Sequence, residues 1–109
     1  MSDDGIDLGD LSGLVDGSLR RIDGIGEHGI VVCRVAGRLC AFSDNCSHRD
    51  ARLSEGRLRG SSIVCPVHGA RFDVVTGEHK GPPATTPIEV HRVEERDGRA
   101  FLRSEEHTS

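Results

Sequence analysis

Tryptophan and tyrosine are absent from this chain of 109 residues, and three phenylalanines are its only aromatics. With 35% hydrophobic residues it can fill one modest core, and its length is that of a single domain. No stretch approaches the roughly 20 apolar residues that cross a bilayer, so no membrane is expected as a partner. The first residues, Met1-Ser2-Asp3-Asp4-Gly5, lack the basic and apolar regions of a secretory signal, which makes the cytoplasm the expected location. A formal charge of −4 leaves no basic footprint for nucleic acid. There is no Gly-rich phosphate loop, no nucleophile–base pair and no two-His, one-carboxylate triad, so the chain is not expected to be an enzyme. The dipeptide-spaced C-x-x-C is missing too, although the chain has four cysteines.

Helix-length periodicity is also lacking. Short Val- and Ile-rich runs separated by glycines predict an all-β domain. Residues 1–13, rich in Asp and Gly, read as a loose lead. Residues 14–22 read as an early strand with a turn at Asp16-Gly17, and 23–29 as a glycine-relieved loop. Residues 30–42 form a hairpin if Ala36-Gly37 is a two-residue loop, which sets Val35 opposite Arg38 and Cys33 opposite Cys40. Val31, Cys33, Val35, Cys40 and Phe42 then share one apolar face, with Cys33 and Cys40 as buried thiols. A disulfide between those two is sterically conceivable, but cytosolic thiols stay reduced. Residues 62–65 and 70–73 read as short strands. Residues 88–93 and Arg99–Arg103 flank the hairpin dipeptide Asp97-Gly98. Residues 104–109 read as a polar tail.

Against that background, Cys46-Ser47-His48 and Cys65-Pro66-Val67-His68-Gly69 stand out. They make C-x-H, a 16-residue spacer and C-x-x-H, each segment offering one thiolate and one imidazole. Zinc accepts two Cys and two His, but usually as C-x2-4-C with H-x3-5-H. Here each half pairs one Cys with one His. Two cysteines on one iron and two histidines on the other is the ligand set of a Rieske [2Fe–2S] centre.

The flanking residues extend the pattern. Leu53 and Gly56 follow the first segment, and Gly69-Ala70-Arg71-Phe72-Asp73-Val74-Val75-Thr76-Gly77 and Gly81-Pro82-Pro83 the second. The resulting CxH…LxxG…CPxHGxxFDxxTG resembles the Rieske iron–sulfur family from about residue 18 to about residue 103. By length it is most similar to the small Rieske-type ferredoxins of bacterial aromatic-ring dioxygenase systems. The resemblance implies a β-sandwich base with a small inserted cluster-binding lobe at about 44–83. It implies one [2Fe–2S] cluster per chain, held by Cys46, His48, Cys65 and His68, with Gly81-Pro82-Pro83 covering one side. It further implies a monomeric one-electron carrier that takes electrons from a flavoprotein ferredoxin reductase using NAD(P)H and passes them to a terminal dioxygenase or other oxygenase. The alternative is the small Rieske subunit of an assimilatory nitrite reductase. Many such subunits lack some cluster ligands, whereas this chain keeps all four.

Two departures from respiratory Rieske proteins bear on the potential. Their extra loop cysteines, which form a disulfide, correspond to Ala51 and Val67 here. Their Ser and Tyr hydroxyls near cluster sulfur correspond to Ala70 and Phe72, which cannot donate. The resemblance therefore implies a potential at the low end of the Rieske range, about −150 mV. His28, His79, His91 and His107 lie outside the ligand pattern and are expected to be solvated or locally bonded. His79-Lys80, close to the lobe, is a further candidate for partner docking.

Overall fold

The computed structural model describes residues 6–46, 51–66, 69–80 and 87–103. Within them the chain forms β1 (Ile6–Asp10), β2 (Leu19–Ile22), β3 (Ile30–Val35), β4 (Arg38–Ser43), a 3-10 turn (Leu53–Glu55), β5 (Arg57–Arg59), β6 (Ser62–Val64), β7 (Arg71–Asp73), β8 (Val90–Arg96) and β9 (Arg99–Arg103). One sheet has the order β1-β9-β8-β4-β3-β2 and a second the order β5-β6-β7. All ladders between these strands are antiparallel. There is no α-helix among the described residues, as an all-β reading requires.

The β3–β4 hairpin is the middle layer of the molecule. Side chains alternate across a strand, so a strand buried on both faces is apolar at consecutive positions. The run Ile30-Val31-Val32-Cys33 does this and all four residues are buried. Val31, Cys33, Cys40 and Phe42 pack with Leu53, Ile63, Phe72 and Val74 of the smaller sheet and its turn. Ile30, Val32 and Ala41 pack on the opposite face with Leu11, Leu14, Ala100 and Leu102. The predicted register holds throughout: Val35 pairs with Arg38, Cys33 with Cys40 and Val31 with Phe42.

The β3–β4 and β8–β9 hairpins use turns with two left-handed residues. Ala36 and Gly37 have φ of +52° and +81°, and Asp97 and Gly98 have +54° and +82°. This mirror-image turn matches strand twist and favours Asn or Asp followed by Gly. Alanine is the misfit, since an L-residue in that region costs roughly 1–2 kcal/mol. Ala36→Asn is therefore expected to stabilise the protein by roughly 0.5–1 kcal/mol, because asparagine tolerates the conformation better. The measurement is the thermal unfolding midpoint, and a lowered midpoint would contradict the turn assignment.

Two N-terminal expectations need correction. The lead at 1–13 is not loose over Ile6–Asp10, which forms β1 against β9. Its sequence, Ile-Asp-Leu-Gly-Asp, has poor intrinsic strand preference, and tertiary partners decide instead. Asp7 takes two 3.1 Å contacts from Arg99 Nε and caps the bulge by accepting from the Gly9 N–H at 2.9 Å. The strand expected over 14–22 begins only at Leu19. Before it, Leu14 is buried in the core and Gly17 turns at φ +86°. The Arg34 side chain holds this segment down. It donates to the carbonyls of Leu14 at 2.6 Å and Leu11 at 2.9 Å, and to both Glu95 oxygens at 3.0 Å. That guanidinium keeps the Glu95 carboxyl below its ordinary value.

Candidate metal centre

The two cysteine segments leave the ends of β4 and β6 and are closed in the same way. The Cys46 N–H donates to the Ala51 carbonyl at 2.9 Å, and the Cys65 N–H donates to the Ala70 carbonyl at 2.7 Å. Each bond closes a loop of identical span with the cysteine at its head. Cys46 and Cys65 are 2% and 1% exposed and belong to one apolar cluster with Leu53, Ile63, Ala70 and Phe72. None of the four cysteines forms a disulfide. Two soft thiol donors, buried together at the heads of matched loops, suit an iron–sulfur cluster better than a hard cation. His48 and His68 fall inside these loops and lie outside the described residues, as do Val67 and Gly81-Pro82-Pro83. Among the described residues no group of three or more His, Cys, Asp or Glu gathers to hold a metal.

The first loop is anchored by a buried carboxylate that sequence reasoning missed. Asp44, two residues before Cys46, has a fully buried side chain. It accepts from the Ser54 N–H and the Ser54 hydroxyl, each at 2.7 Å, and pairs with the Arg21 guanidinium. The hydrogen bond that Arg21 donates to Asp44 raises the Arg21 pKa above its usual value. Arg21 also donates to Asp23 at 2.7 Å and to the His28 carbonyl at 3.1 Å. One buried charge thus ties β2, the loop entry and the 3-10 turn together. Its only sequence signal, an Asp in a Ser-Asp-Asn turn, also fits a solvated bend.

The glycines and the aspartate of the motif acquire physical reasons. A Cβ on Gly56 would stand 1.9 Å from the Val64 carbonyl oxygen, immediately before Cys65. Leu53, three residues earlier, is fully buried beneath the turn. Asp73 accepts from the N–H groups of Val75 at 2.8 Å and Thr76 at 3.1 Å, which coils the chain after β7. Gly77 completes that turn at φ +85°, with the Ile88 carbonyl oxygen 2.5 Å from where a Cβ would sit. Ala70 and Phe72 are both fully buried in the same apolar cluster as Cys65.

The other histidines differ in their surroundings. His91 Nε2 lies 3.0 Å from the Ser43 hydroxyl, a local bond between neighbouring strands. His79 is exposed and bridges the backbone of Phe72, and His28 is exposed. His107 lies outside the described residues.

Residues 7–93 match the Rieske [2Fe–2S] domain family. Ferredoxin CarAc of Metapseudomonas resinovorans is 38% identical over 94 residues, which cover 86% of this chain and 88% of that protein. The ferredoxin component of the naphthalene 1,2-dioxygenase/salicylate 5-hydroxylase systems of a Ralstonia species is 33% identical over 105 residues, 96% of this chain and all of that one. Among solved structures, a chain in the complex of reduced oxygenase and oxidized ferredoxin in carbazole 1,9a-dioxygenase superposes with a TM-score of 0.84 at 36% identity. That superposition covers 90% of this chain and all of the other.

Proposed function

This chain belongs to the Rieske [2Fe–2S] domain family, and on that premise we propose that it is a diffusible one-electron carrier of an aromatic-ring dioxygenase system. It accepts electrons from a flavoprotein ferredoxin reductase that oxidises NAD(P)H and delivers them to a terminal oxygenase. The observation that carries this reading is the near full-length likeness to ferredoxins of such systems. No helix among the described residues is long and apolar enough to cross a membrane. We place the carrier in the cytoplasm, as a monomer. Residues 1–109 make one domain in which about 44–83 forms the cluster lobe, with the termini outside it. The separate β5–β6–β7 sheet, whose last two strands flank the second cysteine loop, supports that division.

A Rieske [2Fe–2S] group supplies a one-electron couple. In this reading Cys46 and Cys65 hold one iron, and His48 and His68 hold the other. The matched backbone closures and common burial of the two cysteines support their half of the assignment. The Asp44 network fixes the entry to the first loop, and the Gly56–Val64 approach fixes the strand that delivers Cys65. Ala70 and Phe72 surround the second loop with apolar surface. They offer no side-chain donor to sulfur, which holds the potential low.

That last point predicts an effect of two substitutions. Ala70→Ser and Phe72→Tyr each supply a hydroxyl that can donate toward cluster sulfur. A hydrogen bond to a charged acceptor is worth about 1.5–3 kcal/mol, and the reduced, more negative state gains more of it. A difference of about 1–2 kcal/mol between the two states is a shift of roughly 40–90 mV for one electron. Both potentials are expected to rise by that amount in film voltammetry. Variants that fold and bind the cluster without any rise would contradict the role given to these two positions.

The proposed function itself is tested by stopped-flow mixing of the purified holoprotein. A dioxygenase-system flavoprotein reductase with NADH is expected to bleach its visible bands. A terminal oxygenase with aromatic substrate and oxygen is expected to restore them within turnover. Reduction by dithionite but by no such reductase, or no reoxidation by any such oxygenase, would overturn the assignment.

A further inference from the structure

Cys33 and Cys40 take no part in the proposed centre, yet they are the other two sulfurs of the same apolar cluster. They lie directly opposite each other on β3 and β4. Opposed residues of an antiparallel pair have Cα atoms about 4.5–5.5 Å apart, inside the roughly 4.4–6.8 Å range that a disulfide spans. Each thiol is the largest influence on the other's ionisation. Cys33 is sealed in the core, whereas Cys40 keeps 7% of its surface and lines a cavity of about 300 Å³. Arg38, Val74, Val75 and Arg92 line the same cavity, which is roomy enough for a small polar oxidant.

We propose that Cys33 and Cys40 form a second redox site, a dithiol that a hydroperoxide oxidises reversibly to a cross-strand disulfide. Cys40 is the attacking sulfur and Cys33 the resolving one. The division follows from exposure and from charge. The Cys33 thiol favours the thiolate of Cys40 and lowers its pKa, with the Arg38 charge adding to the effect. The Cys33 thiol is itself pushed up, by Cys40 and by burial. The Cys40 thiolate attacks one oxygen of hydrogen peroxide, breaking the O–O bond and giving a sulfenic acid and hydroxide. The Cys33 sulfur then displaces the sulfenic oxygen, forming the S–S bond and releasing it as water. In balance, two thiols lose two protons and two electrons while one peroxide becomes two waters. The product joins neighbouring strands and leaves Cys46 and Cys65 intact.

The test exposes native holoprotein to stepwise equivalents of hydrogen peroxide, followed by alkylation, unfolding and digestion with trypsin and chymotrypsin. Cleavage after Arg34, Arg38 and Phe42 puts Cys33, Cys40 and Cys46 on separate peptides. The expected result is an intact mass lower by two hydrogens and a Cys33–Cys40 peptide pair. The visible bands are retained, and dithiothreitol reverses the change. Cys33→Ser is expected to leave a Cys40 sulfenic acid that dimedone traps, and Cys40→Ser to abolish both products. Should a serine variant fail to fold, the wild-type peptide map decides by itself. Peroxide that bleaches the protein while Cys33 and Cys40 remain thiols would overturn the proposal. A cross-link to Cys46 or Cys65 would overturn it as well.

Discussion

Replacing His48 or His68 with alanine is expected to abolish the visible charge-transfer bands and the EPR signal of the reduced protein. In the proposed ligand set each histidine is one of only two protein donors to its iron, so its loss opens a coordination position to water. A cluster lobe with little apolar area of its own depends on metal for its folding, and loss of a donor therefore also loosens the lobe. The expected iron content is near zero after gel filtration. The controls are His79→Ala and His28→Ala, exposed histidines outside the pattern, for which wild-type iron content is expected. Full retention of the signal in either ligand variant would refute the histidine half of the assignment.

Gly56→Ala is expected to be almost as damaging, although alanine is apolar, small and the best helix former. The obstacle is the Val64 carbonyl oxygen 1.9 Å from the new methyl position. That oxygen belongs to the backbone of β6, so no rotamer change relieves the overlap. Overpacking with side chains as neighbours costs typically 1–3 kcal/mol. A clash with paired backbone belongs at or above the top of that range, at about 3 kcal/mol or more. The displaced residue adjoins Cys65, so iron occupancy is expected to fall together with stability. Gly13→Ala, where nothing approaches a Cβ and φ is not left-handed, is expected to change the unfolding midpoint little. Equal midpoints for the two alanine variants would show that β6 yields without cost.

What could be read from the sequence was what local chemistry encodes. The Cys46 and Cys65 segments carry rare donor types at a defined spacing, and burial at the heads of matched loops agrees with that reading. The Ala36-Gly37 hairpin follows from alternation and loop length, so its register could be counted residue by residue. Other features depended on partners distant in the chain. β1 exists because β9, 89 to 96 residues later, supplies the pairing and Arg99 supplies a charge for Asp7. Asp44 is a buried anchor because Arg21 and Ser54 converge on it from 23 and 10 residues away. The need for glycine at 56 comes from the closeness of β6, although the LxxG pattern marked the position.

The same distinction bears on the potential. Ligand type can be read from Cys and His, whereas the apolar burial of Ala70 and Phe72 beside Cys65 becomes visible only in three dimensions. Both features bear on the low potential proposed for this carrier.

The most direct test of a low-potential Rieske carrier is film voltammetry of the native holoprotein at neutral pH. A reversible one-electron wave at about −150 mV, the lower end of the Rieske range, is the predicted result. A wave near about −400 mV, as for a plant-type cluster held by cysteines alone, or no wave from a protein loaded with zinc, would contradict it.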